Sequence, residues 1–234
     1  MFNIGSWNLW GLNSFQKQKT VQEWTTKNNL DIFGLLETKI TASNLDTIAP
    51  HIAISPWQYT TNITSSTSCR IFVSWNPHKL SLTHITSSAQ WLTCEITTAS
   101  SPSIIRITFV YGHNTPADRR TLWNYLSQES SQNTSIPWIV LGDFNAIMHA
   151  GDRAGGDTNW YSHLDDFPRC ISLAELIPVP YTGMKFTWHN GQQGEQTIQK
   201  NWTGSSVMLT CFRVFLQLTL PSCLGIYLIT APCS

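Results

Sequence analysis

Pro137 to Asn145 reads P-W-I-V-L-G-D-F-N, a short apolar run that breaks off into a glycine, a carboxylate and a carboxamide. A run of this kind, bounded by turn signals, is a buried strand, and whatever follows its last apolar residue is carried to the strand's carboxyl end. Two earlier stretches repeat the pattern. Met1 to Trp7 alternates apolar and polar residues before Asn8 and a Gly-bearing turn, and Asp31 to Leu36 (D-I-F-G-L-L) is an apolar run that stops at Glu37. Three strand ends thus carry side chains able to do chemistry, and sites collect where strands stop and loops begin.

Phe15 to Asn29 is a polar amphipathic helix, so the chain opens with a strand, helix, strand unit. Residues 40–68 are rich in Ser and Thr and give no assignment. Arg70 to Trp75, Gln90 to Thr97 and Ser103 to Tyr111 are β-rich at hairpin-like spacing, which predicts an antiparallel middle. Pro116 to Ser130 is a helix with Leu122, Trp123 and Leu126 on one face. Tyr161 to Leu176 is a second, broken near Pro168, and Phe186 to Trp188 is a last short strand. The expected fold is α/β, two β-rich halves with helices outside.

A chain of 234 residues with 11 Trp and 10 Phe can fill one large core. Its 14 Lys plus Arg balance 14 Asp plus Glu, so the net charge offers no counterion-release argument, and any site for a polyanion must be local. Cys69, Cys94, Cys170, Cys211, Cys223 and Cys233 form no C-x-x-C pair and are expected as reduced thiols. Residues 1–12 lack the basic and apolar regions of a secretory leader, so the N-x-S/T matches at Asn62, Asn133 and Asn201 are expected to be chance. An intracellular protein follows, nuclear if it acts on DNA.

Hydrolysis of a phosphodiester needs a hard cation on oxygen ligands, donors for the developing charge and an activated water. Each strand end alone is a weak signal, since a terminal Glu is more often a cap or a surface ion pair. The order S-W-N, L-L-E-T-K, V-Y-G-H-N, G-D-F-N and F-T-W resembles the endonuclease/exonuclease/phosphatase superfamily over roughly residues 1–190. Within it, the wording is similar to the endonuclease domain of plant LINE-type non-LTR retrotransposons.

The resemblance implies a four-layered α/β sandwich of DNase I type, with Mg²⁺ or Mn²⁺ as cofactor and DNA as partner. It implies that Glu37 is the metal carboxylate and that Asn8, beside it, contacts substrate. Asp143 would position water or protonate the leaving oxygen, Asn145 would donate to phosphate, and Tyr111 and Asn114 would bind phosphate as well. Lys39 is as well explained by a solvated surface lysine as by an electrostatic role, and His113, a lone loop histidine, is expected to be structural. Trp10 stands where many relatives carry a second acidic metal ligand.

Relatives end with an L-D-R-like strand and an S-D-H motif that supplies the general base. Here no acidic residue follows Glu195 and no histidine follows His189. Codons explain the loss. Read from the third base, Asn201-Trp202-Thr203 can encode only Leu-Asp, with Arg-Val permitted next, and Tyr227 to Pro232 permit S-D-H-C-P at the family's usual separation. The expected organisation is therefore a truncated domain over residues 1–200 and a frame-shifted hydrophobic tail over 201–234, with the last strands lost and catalysis impaired. Leu209 to Thr230 has the ~20-residue length of a membrane anchor, but Arg213, Gln217 and Pro221 interrupt it, and neither a membrane nor an obligate protein partner is expected. Two alternatives remain open, a non-catalytic nucleic-acid-binding remnant and a phosphatase of the same superfamily.

Overall fold

The computed structural model describes residues 2–63, 68–99, 101–157, 159–178, 188–200, 207–210 and 224–228. The first half contains β1 (Phe2–Asn8), α1 (Phe15–Lys27), β2 (Ile32–Thr41), α2 (Ala42–Ile52), β3 (Gln58–Thr61), β4 (Ser68–Trp75), β5 (Leu80–Ser87), β6 (Trp91–Thr98) and β7 (Ser101–Tyr111). The second contains α3 (Pro116–Gln132), β8 (Trp138–Asp143), β9 (Arg153–Ala154), α4 (Asp166–Leu173), β10 (Ile177–Pro178), β11 (Trp188–His189), β12 (Gln199–Lys200), β13 (Val207–Thr210) and β14 (Leu224–Leu228).

Two sheets carry the fold, ordered β14-β1-β2-β4-β3 and β10-β13-β8-β7-β6-β5, with a small β11-β12-β9 sheet beside them. The sheets pack face to face through Ile4, Ile32, Leu36, Ile71 and Val73 on one side and Leu92, Ile107, Phe109, Ile139 and Leu141 on the other. Gly34 lets them close: a Cβ there would lie 2.1 Å from the Phe109 ring. Helices α1 and α2 cover the first sheet through Val21, Trp24, Ile48 and Ile52. Helices α3 and α4 cover the second through Leu122, Leu126, Phe167 and Ile171. The result is the mixed α/β sandwich of four layers that the sequence predicts, with the DNase I-like architecture.

Each sheet contains a parallel pair whose strands end at the site. Strands β1 and β2 run parallel, with Asn8 beside Leu36, and β7 and β8 run parallel, with Tyr111 beside Asp143. The two pairs bring the carboxyl ends of four strands to the site.

Several boundaries differ from the sequence reading. Strand β2 does not stop at Glu37; it continues to Thr41 through an irregularity that re-aims its side chains. Residues 42–52 form α2 despite Ser, Thr and Pro50, because Ile48, Ala49 and Ile52 find a buried face. The break near Pro168 lies earlier, at a turn over Ser162–Leu164, and Pro168 sits in the first turn of α4, where no amide hydrogen is needed. Of the predicted strand Phe186 to Trp188, only Trp188 falls within the described residues, in β11.

Loss of the last strands is corrected for the ladder positions. Val207–Thr210 pairs antiparallel with β8, and Leu224–Leu228 pairs parallel with β1. Backbone ladders accept any sequence free of proline, and these two apolar segments complete edges that would otherwise leave donors bare. Among the described residues no helix is long and apolar enough to cross a membrane.

Cys69, Cys94 and Cys170 are free and buried, and burial pushes their thiols up, Cys69 to about 11 and Cys170 to about 12. The other three cysteines lie outside the described residues. Asn62 is buried and structural: its Oδ1 accepts from the Arg70 and Ile71 amides and its Nδ2 donates to Ser88 O.

Candidate active site

Asp143 ends β8 and is 5% exposed. Gly142 before it has φ +139°, and a Cβ there would sit 2.1 Å from Val110 O, so the G-D step admits only glycine. The carboxylate is fully engaged: Oδ1 accepts from the Asn145 amide at 2.9 Å and Oδ2 from Asn8 Nδ2 at 2.8 Å. The second bond crosses from one sheet to the other. Burial pushes the Asp143 carboxyl above its ordinary value and the charge of Glu37 adds to this, while the Asn145 and Asn8 hydrogen bonds and Arg119 oppose it.

Asn8 is fixed by its neighbours as well as by Asp143. Its Oδ1 accepts from the Trp10 amide at 3.2 Å, and Lys17 Nζ donates to Leu9 O and Trp10 O, tying the following loop to α1. Trp10 itself has φ +47° and is 59% exposed, a strained and solvent-facing position for a large apolar side chain.

Glu37 stands in the irregular part of β2. Leu36 pairs with Ile71 and Ile40 with Cys69, so Glu37, Thr38 and Lys39 together oppose the single residue Arg70. Glu37 and Lys39 are both left-handed, at φ +53° and +55°. Such positions cost about 1–2 kcal/mol each, and local bonds offset this: the Gly11 and Leu12 amides donate to Glu37 O and Thr38 O, and the Thr38 hydroxyl donates to Cys69 O. The bulge presents the Glu37 carboxylate to the cleft, where Lys39 Nζ lies 3.1 Å from it and 5.3 Å from the centroid of the Trp10 ring.

Tyr111 ends β7 beside Asp143. Its phenol is pushed well above the ordinary value, first by burial and then by the charges of Glu37 and Asp143, with Arg70 opposing. It therefore stays protonated at neutral pH and keeps its O–H as a hydrogen-bond donor. Asn145, at φ +49°, donates from Nδ2 to Gly112 O, and Gly112 N donates to Asp143 O, which locks the G-D-F-N turn onto the Y-G-H-N turn.

Asn8, Glu37, Tyr111, Asp143 and Asn145 thus come together. Asn114 stands apart: it is exposed, and Arg119 binds its backbone oxygen. Lys39 is on the site, bonded to Glu37. The His113 amide donates to Gln90 Oε1, and its imidazole is pushed down by burial and by Arg70. The charges acting on it are those of Arg70 and Asp118 rather than of the two site carboxylates.

Two residues were not anticipated from the sequence. Arg70 lies over the Tyr111 ring, 5.7 Å from its centroid, and Arg119 is buried with one nitrogen bonded to His113 O and Asn114 O. Burial draws the Arg119 guanidinium down, and Asp143 and Asp166 oppose that. In sequence each is an arginine on a strand or helix, with nothing to mark it.

The donors of Glu37, Asp143 and the carboxamides are all oxygen, and two neighbouring carboxylates, one of them buried, form a site whose charge a hard cation would relieve. The residues fit such an ion through this pair. No group of three His, Cys, Asp or Glu is poised around a metal among the described residues.

Residues 5–208 match the model of the Endonuclease/Exonuclease/phosphatase family. No curated protein matches the chain. Among solved structures, the chain is similar to the endonuclease domain of TRAS1, a telomere-specific non-LTR retrotransposon, with TM-score 0.62, 11% identity, and 88% of this chain and 83% of that one covered. It is similar to an AP endonuclease from Leishmania major, with TM-score 0.61, 13% identity and coverage of 88% and 86%. A mannosyl-6-phosphatase from Bacteroides thetaiotaomicron gives TM-score 0.54 at 11% identity, with 88% and 84% covered. At these identities the likeness speaks for the fold.

Proposed function

Because the chain belongs to the endonuclease/exonuclease/phosphatase family, we propose that it is a divalent-metal-dependent phosphodiesterase domain of retrotransposon origin, acting on DNA, whose catalysis is impaired. The observation that carries this reading is the Asn8–Asp143 hydrogen bond across the two sheets, with Glu37 and Tyr111 against it. It is the point where four separate motifs meet in one set of donors and acceptors.

Glu37, with Asp143 nearby, would hold Mg²⁺ or Mn²⁺, and the ion would supply charge for the phosphoryl oxygens. Tyr111 donates from its phenol. Asn145 holds Gly112 with one amide hydrogen and keeps a second for a phosphate oxygen. Asn8 fixes the Asp143 carboxyl, and Asn114 meets substrate from the rim. Asp143, held by the Asn145 amide and the Asn8 carboxamide, is placed to position the attacking water or to hand a proton to the leaving oxygen. Activation of water is what the chain lacks, since no histidine follows His189. We read the tail over residues 201–234 as the out-of-frame remnant of the segment that would supply one. Sequencing the DNA and transcript from codon 180 onward tests this: K-L-D-R-V and S-D-H-C-P in the offset frame support it, and their absence refutes it.

A second reading, a nucleic-acid-binding module without catalysis, is favoured by the Lys39 ammonium, which already occupies one oxygen of Glu37. A nicking assay with Mg²⁺ separates the two. Cleavage that Glu37→Gln and Asp143→Asn abolish sinks the binding-only reading, and a folded sample that binds DNA without cutting sinks the enzyme.

A further inference from the structure

The loop that follows β1 is stitched residue by residue onto the bulge of β2. The Leu9 and Gly11 amides donate to Leu36 O and Glu37 O at 3.1 and 2.8 Å, the Leu12 amide to Thr38 O at 2.8 Å, and Asn13 Nδ2 to Lys39 O at 3.3 Å. Leu9 and Leu12 are buried, but Trp10 between them is exposed, in a left-handed conformation at φ +47°. Packing gives no reason for a tryptophan there. A left-handed backbone penalises a bulky side chain and suits glycine, and an exposed indole gains nothing from burial. Among the described residues its ring meets the Lys39 ammonium, 5.3 Å from the centroid, and no other aromatic ring.

What holds Trp10 is the site itself. Its amide donates to Asn8 Oδ1 and its carbonyl accepts from Lys17 Nζ, each at 3.2 Å. The ammonium over its ring is the same one that lies 3.1 Å from Glu37 Oε1, so a single side chain bridges the indole and the candidate metal carboxylate. Asn8 in turn binds Asp143. A flat apolar face is thus fixed in water beside the reactive groups, and strain that the surroundings over-determine in this way belongs to ligand clamps.

We propose that Trp10 is a stacking platform for the base of the nucleotide adjoining the phosphate at the Asn8–Asp143 site. This rests on the nucleic-acid reading above and deepens it. A nucleotide carries an anion and a flat ring one sugar apart, so one ligand can meet both the centre and the indole, whereas phosphate esters of sugars and simple alcohols offer the indole no aromatic face. Bases inside an intact duplex are already stacked on one another, so the platform takes an unpaired base, and the substrate class is a strand that is single or opened at the cut. The neutral net charge agrees with this, because stacking, unlike counterion release, needs no excess of cations.

The test compares a fluorescein-labelled single strand of mixed sequence with a strand of equal length whose sites are all abasic, so that the phosphates match and the bases do not. Anisotropy titrations use the full-length protein in EDTA. Wild type is expected to favour the strand with bases, and Trp10→Gly to lose about 5- to 150-fold of that preference, the range for one stacked base. The slope of log K against log salt should not change, because no phosphate contact is removed. The thermal midpoint of Trp10→Gly should stay level or rise, since glycine accepts the left-handed backbone. Trp10→Phe should keep most of the preference. Trp10→Asn, which also tolerates that backbone, should show the same loss should the glycine variant fail to fold. Equal binding of the two strands by wild type, or a preference unchanged in a folded Trp10→Gly protein, overturns the platform and leaves the nuclease reading standing. Affinity for both strands that falls together with the midpoint marks the indole as structural and overturns it too. Wild type that binds neither strand removes the nucleic-acid reading and the platform together.

Discussion

The strand ends at Asn8, Glu37 and Asp143 and the two tail strands lie side by side in the same sheets, yet they are held by different forces. Around Asp143, both carboxylate oxygens, the Asn145 side chain and the Gly112 amide are engaged by named partners, and Gly142 fits a space no other residue can enter. The segments Val207–Thr210 and Leu224–Leu228 join β8 and β1 through backbone register. A ladder asks only for extended backbone and apolar side chains, whereas a site asks for particular atoms at particular distances. A segment read out of frame, as proposed for residues 201–234, would satisfy the first demand and not the second.

The comparison breaks most sharply by exchanging the tail. A chain whose residues 201–234 are replaced by the offset-frame translation, carried through S-D-H-C-P, is expected to nick DNA about 10²–10⁴-fold faster, the usual share of a general base. An unchanged rate in a folded protein would show that the tail is not what limits catalysis. Next in size is Gly142→Ala, which forces a Cβ against Val110 O at an unfavourable φ and should cost roughly 3 kcal/mol. Urea unfolding measures it, and a wild-type midpoint would mean that the turn is looser than it looks.

Asn8→Ala leaves Asp143 Oδ2 with one partner fewer and should cost about 1.5–3 kcal/mol, the range for a hydrogen bond to a charged group. Cleavage should suffer more than the unfolding midpoint, because the carboxyl is both buried and reactive. The smallest effect belongs to Lys39→Met. Freed of the ammonium 3.1 Å away, Glu37 should take Mg²⁺ at a lower concentration, by a few-fold at most, since half-exposed ion pairs are worth little. A Mg²⁺ titration of activity or of thermal midpoint reads this, and a higher requirement would mark Lys39 as a partner of substrate.

Much of the site is legible in the chain because polar residues that terminate apolar runs are local signals. Asn8, Glu37 and Asp143 are such signals, and the helices expected over 15–29 and 116–130 from apolar spacing form over 15–27 and 116–132, with caps at Ser14 and Thr115 that the structure reveals. Helix α2 was missed because its Ser, Thr and Pro content opposes helix by propensity while its buried face decides for it. Strand β5 was missed because it lies at the edge of its sheet, where Ser81, His84 and Ile85 are exposed and the alternation is blurred. The bulge at Glu37 left no trace, since both left-handed residues are ordinary in composition and the bonds that hold them come from residues 11, 12 and 69.

By itself the sequence determined the α/β layering, the three strand ends that carry chemistry, and the absence of a histidine beyond His189, because periodicity, turn residues and motif order are written within short stretches. Only the tertiary structure decided that Asn8 of one sheet would bond Asp143 of the other, that Arg70 would lie on Tyr111 and Arg119 behind Asn114, that Asn114 would stand at the rim, and that the tail would fill two ladder positions. Those outcomes depend on how closely two sheets approach at Gly34 and on which backbone groups remain unpaired, quantities fixed by packing across more than a hundred residues of chain.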